Sequence, residues 1–437
     1  MAELISPRVL KGFRDFLPEN EVLRRTLIAR LECVFRDYGF APIDTPALEL
    51  SEILLGKGGG ETEKQVYRFN DNGGRDIALR FDLTVPFARF AAMHRDAVPL
   101  PFKRYHIGKV WRGENTQKGR YREFTQCDFD TIGSSSAAAD AEILLIMQAA
   151  LTAAGAGNST ILINHRGVFN HFLEQKGVCG KLTDVLRAVD KIAKIGRDET
   201  GAILAELTND KAAQSILSFI EITGGWDDAL AAMTEMCGGP NAGLQRLDEI
   251  SCFLRDSGVK NVFSLAPSIT RGLDYYTGVV FETILNEIPS IGSVCSGGRY
   301  DNLTALYAKE PLSGVGASIG LDRLIAAEES LGRLPQQSPY AKCAIICVNE
   351  KHFGFYTKLA SEFRAAGISC EAFNDQKKLT VQFMIAEKKG MRYVIIPSEE
   401  KSSEKKLTIR DITARKDTAE LSFAEAVSLI NGGGDKR

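Results

Sequence analysis

Apolar side chains recur at helical spacing from Asn20 to Phe40, at Leu23, Leu27, Leu31 and Phe35, and the run stops at Gly39. That is the period of a helix with one buried face. In the following APIDTPALE, Pro42 and Pro46 favour extended backbone. Glycines crowd residues 53–75, which predicts a loop around a short strand, QVYRF. ALRFDLTVPFARFAAM reads as a strand turning into a helix. Two longer segments, FKRYHIGKVWRGEN and GRYREFTQCDFDTIG, flank the turn-forming ENTQKG and predict a hairpin. Ser134 to Ser136 then supply an N-cap for the helix DAEILLIMQAALTAAG.

After the strand STILINH, residues from about Gly180 to Gly258 are mostly helical in pattern and poor in aromatics, an inserted helical domain. Strands return from Asn261: GVVFETIL, a glycine-rich turn at SGGRYDN, and GVGASIGLDRLIAAEE, a strand running into a helix. LPQQSPYAK has linker composition. Beyond it CAIICV, a helix through Phe363, SCEAF, a helix near VQFMIAEKKG, RYVIIP and KLTIRDI alternate as in a small α/β sheet. The expected fold is α+β and multidomain.

The chain has 437 residues, 44% apolar and 25% charged, a globular composition with room for several cores. A net charge of −2 excludes a polycation but not a local nucleic-acid patch. The segment from Tyr340 onward is in fact +4, against −6 for the rest. Nine scattered cysteines without C-x-x-C spacing point to reduced thiols, not to disulfides or a zinc site. No apolar stretch reaches ~18 residues and the N-terminus lacks a signal pattern, so a cytoplasmic chain with no membrane span is expected.

Phosphate-loop motifs fail: Gly180-Lys181 lacks the first glycine, and Gly314, Gly316 and Gly320 miss the dinucleotide spacing by one residue. HIGK at 106–109 sits on a predicted strand and has no KMSKS partner. The hairpin is more informative, with Lys103, Arg104, Lys109, Arg112, Lys118, Arg120 and Arg122 against Glu114 and Glu123. Neither face is cleanly apolar, and arginines among aromatics suit a heterocycle and phosphate; a solvated hairpin face is the plainer alternative. TRGLDYYTGVVFE brings Arg271 and Asp274 beside Tyr275 and Tyr276, which could equally anchor a sheet corner. In CSGGRYDNL the paired glycines allow close backbone approach to a ligand, or merely a turn. Asp322 and Arg323 open a helix, where an arginine meets an anion or solvent.

In order and spacing these segments resemble the histidyl-tRNA synthetases, class II aminoacyl-tRNA synthetases, over essentially the whole chain. GFAPIDTPALE resembles motif 1; VWRGEN and GRYREF resemble motif 2, with Arg112, Glu114, Arg120 and Phe124; GVGASIGLDR resembles motif 3, ending at Arg323. RGLDYYTG and SGGRYDNL resemble the two histidine-specific signatures. Gly113 stands where many relatives carry a larger polar residue.

The resemblance implies an antiparallel-sheet catalytic core (1–179 and 259–333), a helical insertion (180–258) and a C-terminal α/β anticodon-binding domain (334–437). It implies that histidine and ATP form histidyl-adenylate, and that histidine then passes to its tRNA. Arg112 and Arg271 are the implied catalytic residues at the α-phosphate, and both are also implied in binding histidine, Arg112 at its carboxylate. Asp82, Thr84 and Gln126 fall to the histidine ammonium group, and Asp130 and Tyr276, with Tyr275 adjacent, to the imidazole. Glu114, Arg120 and Arg323 join Arg112 on ATP. Mg²⁺ would bridge phosphates, with no protein ligand expected. A homodimer paired through motif 1 is also implied. The rival reading is a non-catalytic synthetase paralogue with a regulatory or tRNA-sensing role.

Overall fold

The computed structural model describes residues 4–56, 61–178, 180–270, 275–334, 340–397 and 406–432. The chain divides into two compact units. Met1–Asp15 with Arg24–Leu334 form the first, and Phe16–Leu23 with Pro335–Arg437 the second.

In the first unit the strands in chain order are β1 (Ala41–Pro42), β2 (Leu48–Leu50), β3 (Arg68–Asn70), β4 (Asp76–Leu79), β5 (Phe102–Trp111) and β6 (Glu123–Ile132). Then come β7 (Ser159–His165), β8 (Phe263–Leu265), β9 (Val279–Leu285), β10 (Cys295–Tyr300) and β11 (Gly314–Gly320). Eight of them form one sheet in the order β1-β5-β6-β11-β10-β9-β7-β8. The central six strands pair antiparallel; each edge strand is parallel to its neighbour. A separate three-stranded sheet runs β2-β4-β3.

The helix read from Leu23, Leu27, Leu31 and Phe35 is α1 (Pro18–Asp37), and all four side chains are buried. The Phe35 ring packs tilted against Phe129 of β6, centroids 4.9 Å apart, which fastens α1 to the sheet. Short helices α2 (Ser51–Leu55) and α3 (Thr84–Met93) follow. Next, α4 (Ala137–Ala153) packs against β6, β10 and β11; its N-cap Ser136 accepts from the Ala138 amide at 3.1 Å. After β7 comes α5 (Arg166–Gln175), and Leu182 to Asp256 fold into six helices, from α6 (Leu182–Asp190) to α11 (Ala242–Asp256). The helix α12 (Leu321–Ser330) continues directly from β11.

SGGRYDN is not a turn. Its glycines lie inside β10, where a Cβ on Gly297 would overlap the Gly316 carbonyl oxygen of β11. They serve close strand approach. Arg299 of the same segment turns away toward α4, with Nε 2.8 Å from Asp140 Oδ1 and Nη1 donating to the Ser134 carbonyl.

The second unit holds a five-stranded sheet of Cys343–Ile345, Cys370–Ala372, Tyr393–Pro397, Leu407–Asp411 and Lys416–Leu421. Helices Phe353–Ala365, Leu379–Lys388 and Phe423–Gly432 accompany it. Neither Lys416–Leu421 nor Phe423–Gly432 is among the elements expected from sequence, although Phe423, Ala426, Val427 and Ile430 recur at helical spacing. The linker 335–339 lies outside the described residues.

Candidate active site

Strand alternation builds the site. Gln126, Asp128 and Asp130 share one face of β6. They stand opposite Gly108, His106 and Arg104 of β5, and opposite Gly320, Ser318 and Gly316 of β11. Small residues on β11 make room for the carboxylates: a Cβ on Gly316 would overlap Asp130 Oδ1. On β10 a Cβ on Gly298 would come within 2.9 Å of Tyr276 Cδ1. The glycines shape a floor instead of cradling phosphate.

Over this floor opens a cavity of about 1710 Å³. Nine predicted residues line it: Asp82, Thr84, Arg112, Glu114, Arg120, Gln126, Tyr275, Tyr276 and Arg323. They come from separated stretches of chain: the start of α3, the β5–β6 loop, β6, the approach to β9, and α12. Asp130 is not among them. It lies beneath, with Oδ1 accepting from the Tyr300 hydroxyl at 2.7 Å and Oδ2 2.7 Å from Arg104 Nη2. Arg271, with Gly272 to Asp274, lies outside the described residues.

Arg112 follows the end of β5. Its Nε donates to the Phe81 carbonyl at 2.8 Å, and its guanidinium sits 5.3 Å from the Phe124 ring centroid. Glu114 and Arg120 form an ion pair across the loop. Gly113 donates to the Gln65 carbonyl at 2.7 Å, and a Cβ there would stand 3.2 Å from that oxygen. That proximity is a physical reason for glycine. Arg323 Nη1 donates to the Ser293 carbonyl at 2.7 Å. Asp82 accepts from the Val85 amide at 3.0 Å and from the Tyr275 hydroxyl at 3.2 Å. Gln126 Nε2 donates to Ser318 Oγ at 2.8 Å, and its buried Oε1 has no partner among the described residues.

The floor is acidic and dry. Burial raises the Asp82, Asp128 and Asp130 carboxyls, Asp128 to about 7; Arg104 pulls all three back, and Arg112 also acts on Asp82. Burial likewise raises the Tyr275 and Tyr276 phenols, which remain hydroxyl donors. His106 is lowered to about 3 by burial and by Arg104 and Arg80, so its imidazole is neutral. The buried Cys127 and Cys295 thiols are raised and inert.

Sequence reasoning missed the far wall. Arg166 and Asn170 of α5 and Thr183 and Arg187 of α6 line the same cavity, and Arg166 Nη1 donates to the Tyr276 carbonyl at 2.6 Å. No local motif marks them. It also missed the support beneath Arg323, where Asp322 pairs with Arg14 and Arg24 and accepts from the Thr125 amide. Among the described residues no group of three His, Cys, Asp or Glu side chains could hold a metal ion.

A family model described as histidyl-tRNA synthetase matches residues 12–324, and one for an anticodon binding domain matches 342–432. The chain belongs to the histidyl-tRNA synthetase family. The histidine--tRNA ligase of Treponema denticola is 50% identical over 444 residues, covering 98% of this chain and 99% of that protein. That of Rhodopirellula baltica is 50% identical over 399 residues, with 90% of each chain covered. Among solved structures, the histidyl-tRNA synthetase from Nostoc sp. PCC 7120 superposes with a TM-score of 0.86 at 30% identity, covering 98% of this chain and all of that one. The likeness extends to the architecture, a mixed-sheet core with helices and a C-terminal anticodon-binding domain, consistent with the class II synthetase fold.

Proposed function

We propose that this chain joins histidine to its tRNA in two steps, first forming histidyl-adenylate and pyrophosphate from histidine and ATP. The observation that carries this reading is the convergence of nine residues from separated signature segments on one cavity. Full-length relatives named histidine--tRNA ligase support it and leave the regulatory alternative without support.

The chemistry needs charge control, not a general base. The substrate carboxylate is already ionised, and it must approach an anionic α-phosphate on which further charge then develops. Preorganised guanidinium groups meet both demands. Arg112 is held at Nε by the Phe81 carbonyl, which leaves the terminal nitrogens to fork onto phosphate and carboxylate oxygens. Arg271, from the signature before Tyr275, joins it at the α-phosphate. Arg323 takes the γ-phosphate, while Glu114, steadied by Arg120, reads the adenine amino group. Magnesium would arrive on the ATP phosphates, because it binds largely through phosphate oxygens and water.

Histidine selection follows from the acidic floor. Asp82, Thr84 and Gln126 hold the ammonium group. The Tyr276 hydroxyl, with the Asp130 carboxylate beneath it, holds the imidazole nitrogens. A pocket that hydrogen-bonds a ring rejects analogues lacking those atoms by about 10⁴ or more.

Residues 1–179 and 259–333 are assigned to the catalytic core, 180–258 to an insertion and 334–437 to anticodon binding. The protein works in the cytoplasm as a homodimer. Leu48, Leu50 and Phe69, exposed on the three-stranded sheet, offer the apolar surface a second copy would cover. Histidine-dependent exchange of pyrophosphate into ATP by the purified chain tests the function; no exchange would sink it.

A further inference from the structure

We infer that Arg104 is a positioning residue for histidine selection, acting through the Asp130 carboxylate beneath the cavity lining. The inference rests on the reading above that Asp130 and Tyr276 receive the imidazole.

Arg104 is fully buried near the start of β5, an unusual place for a guanidinium. Its Nη2 lies 2.7 Å from Asp130 Oδ2 and 3.3 Å from the Leu83 carbonyl, and its plane rests 4.3 Å from the Phe87 ring centroid. Nε and Nη1 find no hydrogen-bond partner among the described residues. Core filling or hydrogen-bond satisfaction alone does not account for such a residue. An apolar side chain against Phe87 would fill the space without desolvating a charge.

Its charge has a purpose at the floor. Asp82, Asp128 and Asp130 all act electrostatically on Tyr276, and burial drives all three toward the neutral form. Arg104 opposes that drive at each, and at Asp130 it is the cation that does so. Tyr300 donates to one Asp130 oxygen and Arg104 pairs with the other, so the carboxyl is fixed in direction, and Arg104 opposes the burial that raises it. Asp130 is in turn the strongest charge acting on the Tyr276 phenol. The line runs Arg104, Asp130, Tyr276, ligand ring. None of these groups touches the phosphate side of the cavity, where Arg112 and Arg323 stand.

Pyrophosphate exchange by the full chain, with Michaelis constants for histidine and ATP measured separately, tests the inference. In Arg104→Met the histidine KM should rise about 30-fold or more, as when one partner of a buried charge pair is truncated, with the ATP KM within about two-fold of the parent. Arg104→Lys should recover part of that loss. A folded Arg104→Met protein with an unchanged histidine KM, or with both constants raised alike, overturns the inference. So does a fall in thermal stability alone. Should Arg104→Met not fold, Arg104→Lys decides: a histidine KM raised at least about threefold at constant ATP KM upholds the role, and parity ends it. Absence of histidine-dependent exchange in the parent chain would instead overturn the functional reading itself.

Discussion

Asp322→Asn should destabilise the first unit and weaken ATP binding together. The carboxylate is almost fully buried at the start of α12. It pairs with Arg14 and with Arg24 Nη1 at 2.7 Å, and it accepts from the Thr125 amide at 2.7 Å. Arg24 Nη2 also donates to Thr125 Oγ1 at 2.7 Å, so two chain segments meet at one anion. Asparagine preserves the volume and one acceptor but removes the charge two guanidinium groups share. Breaking a buried pair from one side costs about 3–5 kcal/mol, and the surviving acceptor favours the lower end, about 3 kcal/mol. The unit spans roughly 330 residues, and at about 2.1 cal/mol/K per residue the melting temperature should fall by about 4 °C. Arg323 follows directly on the helix, so relaxation of its first turn should raise the ATP KM more than the histidine KM. Calorimetry and exchange kinetics on the same preparation measure both. A melting temperature within about 1 °C of the parent, with equal Michaelis constants, would refute the claim that Asp322 anchors this end of the site.

Three further outcomes follow from the geometry. Gly316→Ala places a Cβ on top of Asp130 Oδ1; it should cost about 1–3 kcal/mol in thermal unfolding and raise the histidine KM, and a silent substitution would mean the floor is looser than drawn. Burial holds the Asp128 carboxyl up at about 7, above about 3.9 for an exposed aspartate, so the folded chain binds the extra proton between those values and loses stability as pH rises through that window. Asp128→Asn removes the dependence: the parent melting temperature minus that of the variant should decline from about pH 5 to about pH 8, and parallel curves would contradict the sign. Leu50→Glu with Phe69→Glu puts charge on an exposed apolar sheet face and should convert a dimer into 47.8 kDa monomers in sedimentation; indistinguishable profiles would remove that face from the interface.

Local rules carried the element order a long way because they needed only near neighbours. Four apolar positions at helical spacing sufficed for α1, and alternation around ENTQKG for the β5–β6 hairpin. A serine before an apolar run marked the α4 cap. Motif spacing likewise reached the cavity-lining residues of the β5–β6 loop, where the Gly113 bond to the Gln65 carbonyl and the Glu114–Arg120 ion pair hold the chain. The failures around the site had one physical cause, partners far away in the chain. Gly297 and Gly298 looked like a turn because glycine's local meaning is a turn. Only the Gly316 carbonyl, brought alongside by strand pairing, shows why no side chain fits. Arg14 meets Asp322 across 308 positions, a pairing no spacing rule anticipates.

The hairpin arginines show where a local reading stops being sufficient. Neither face of the hairpin was cleanly apolar, and arginines among aromatics argued for a ligand. Arg104 and Arg112 do serve one region, but differently: Arg112 lines the cavity, while Arg104 lies wholly beneath it against Asp130. The difference is one of depth, and depth is set by what covers β5, here α3 with Leu83 and Phe87. A buried arginine facing three buried carboxylates breaks the rule that cores are apolar. Chains keep such conflicts where function needs them and compensate elsewhere. Here the compensation is visible in glycines at 298 and 316, which vacate space for Tyr276 and Asp130. The acidic floor and the glycine-lined strands are therefore one device: the strands give up side-chain packing so that Asp130 and Tyr276 fit below and beside the cavity.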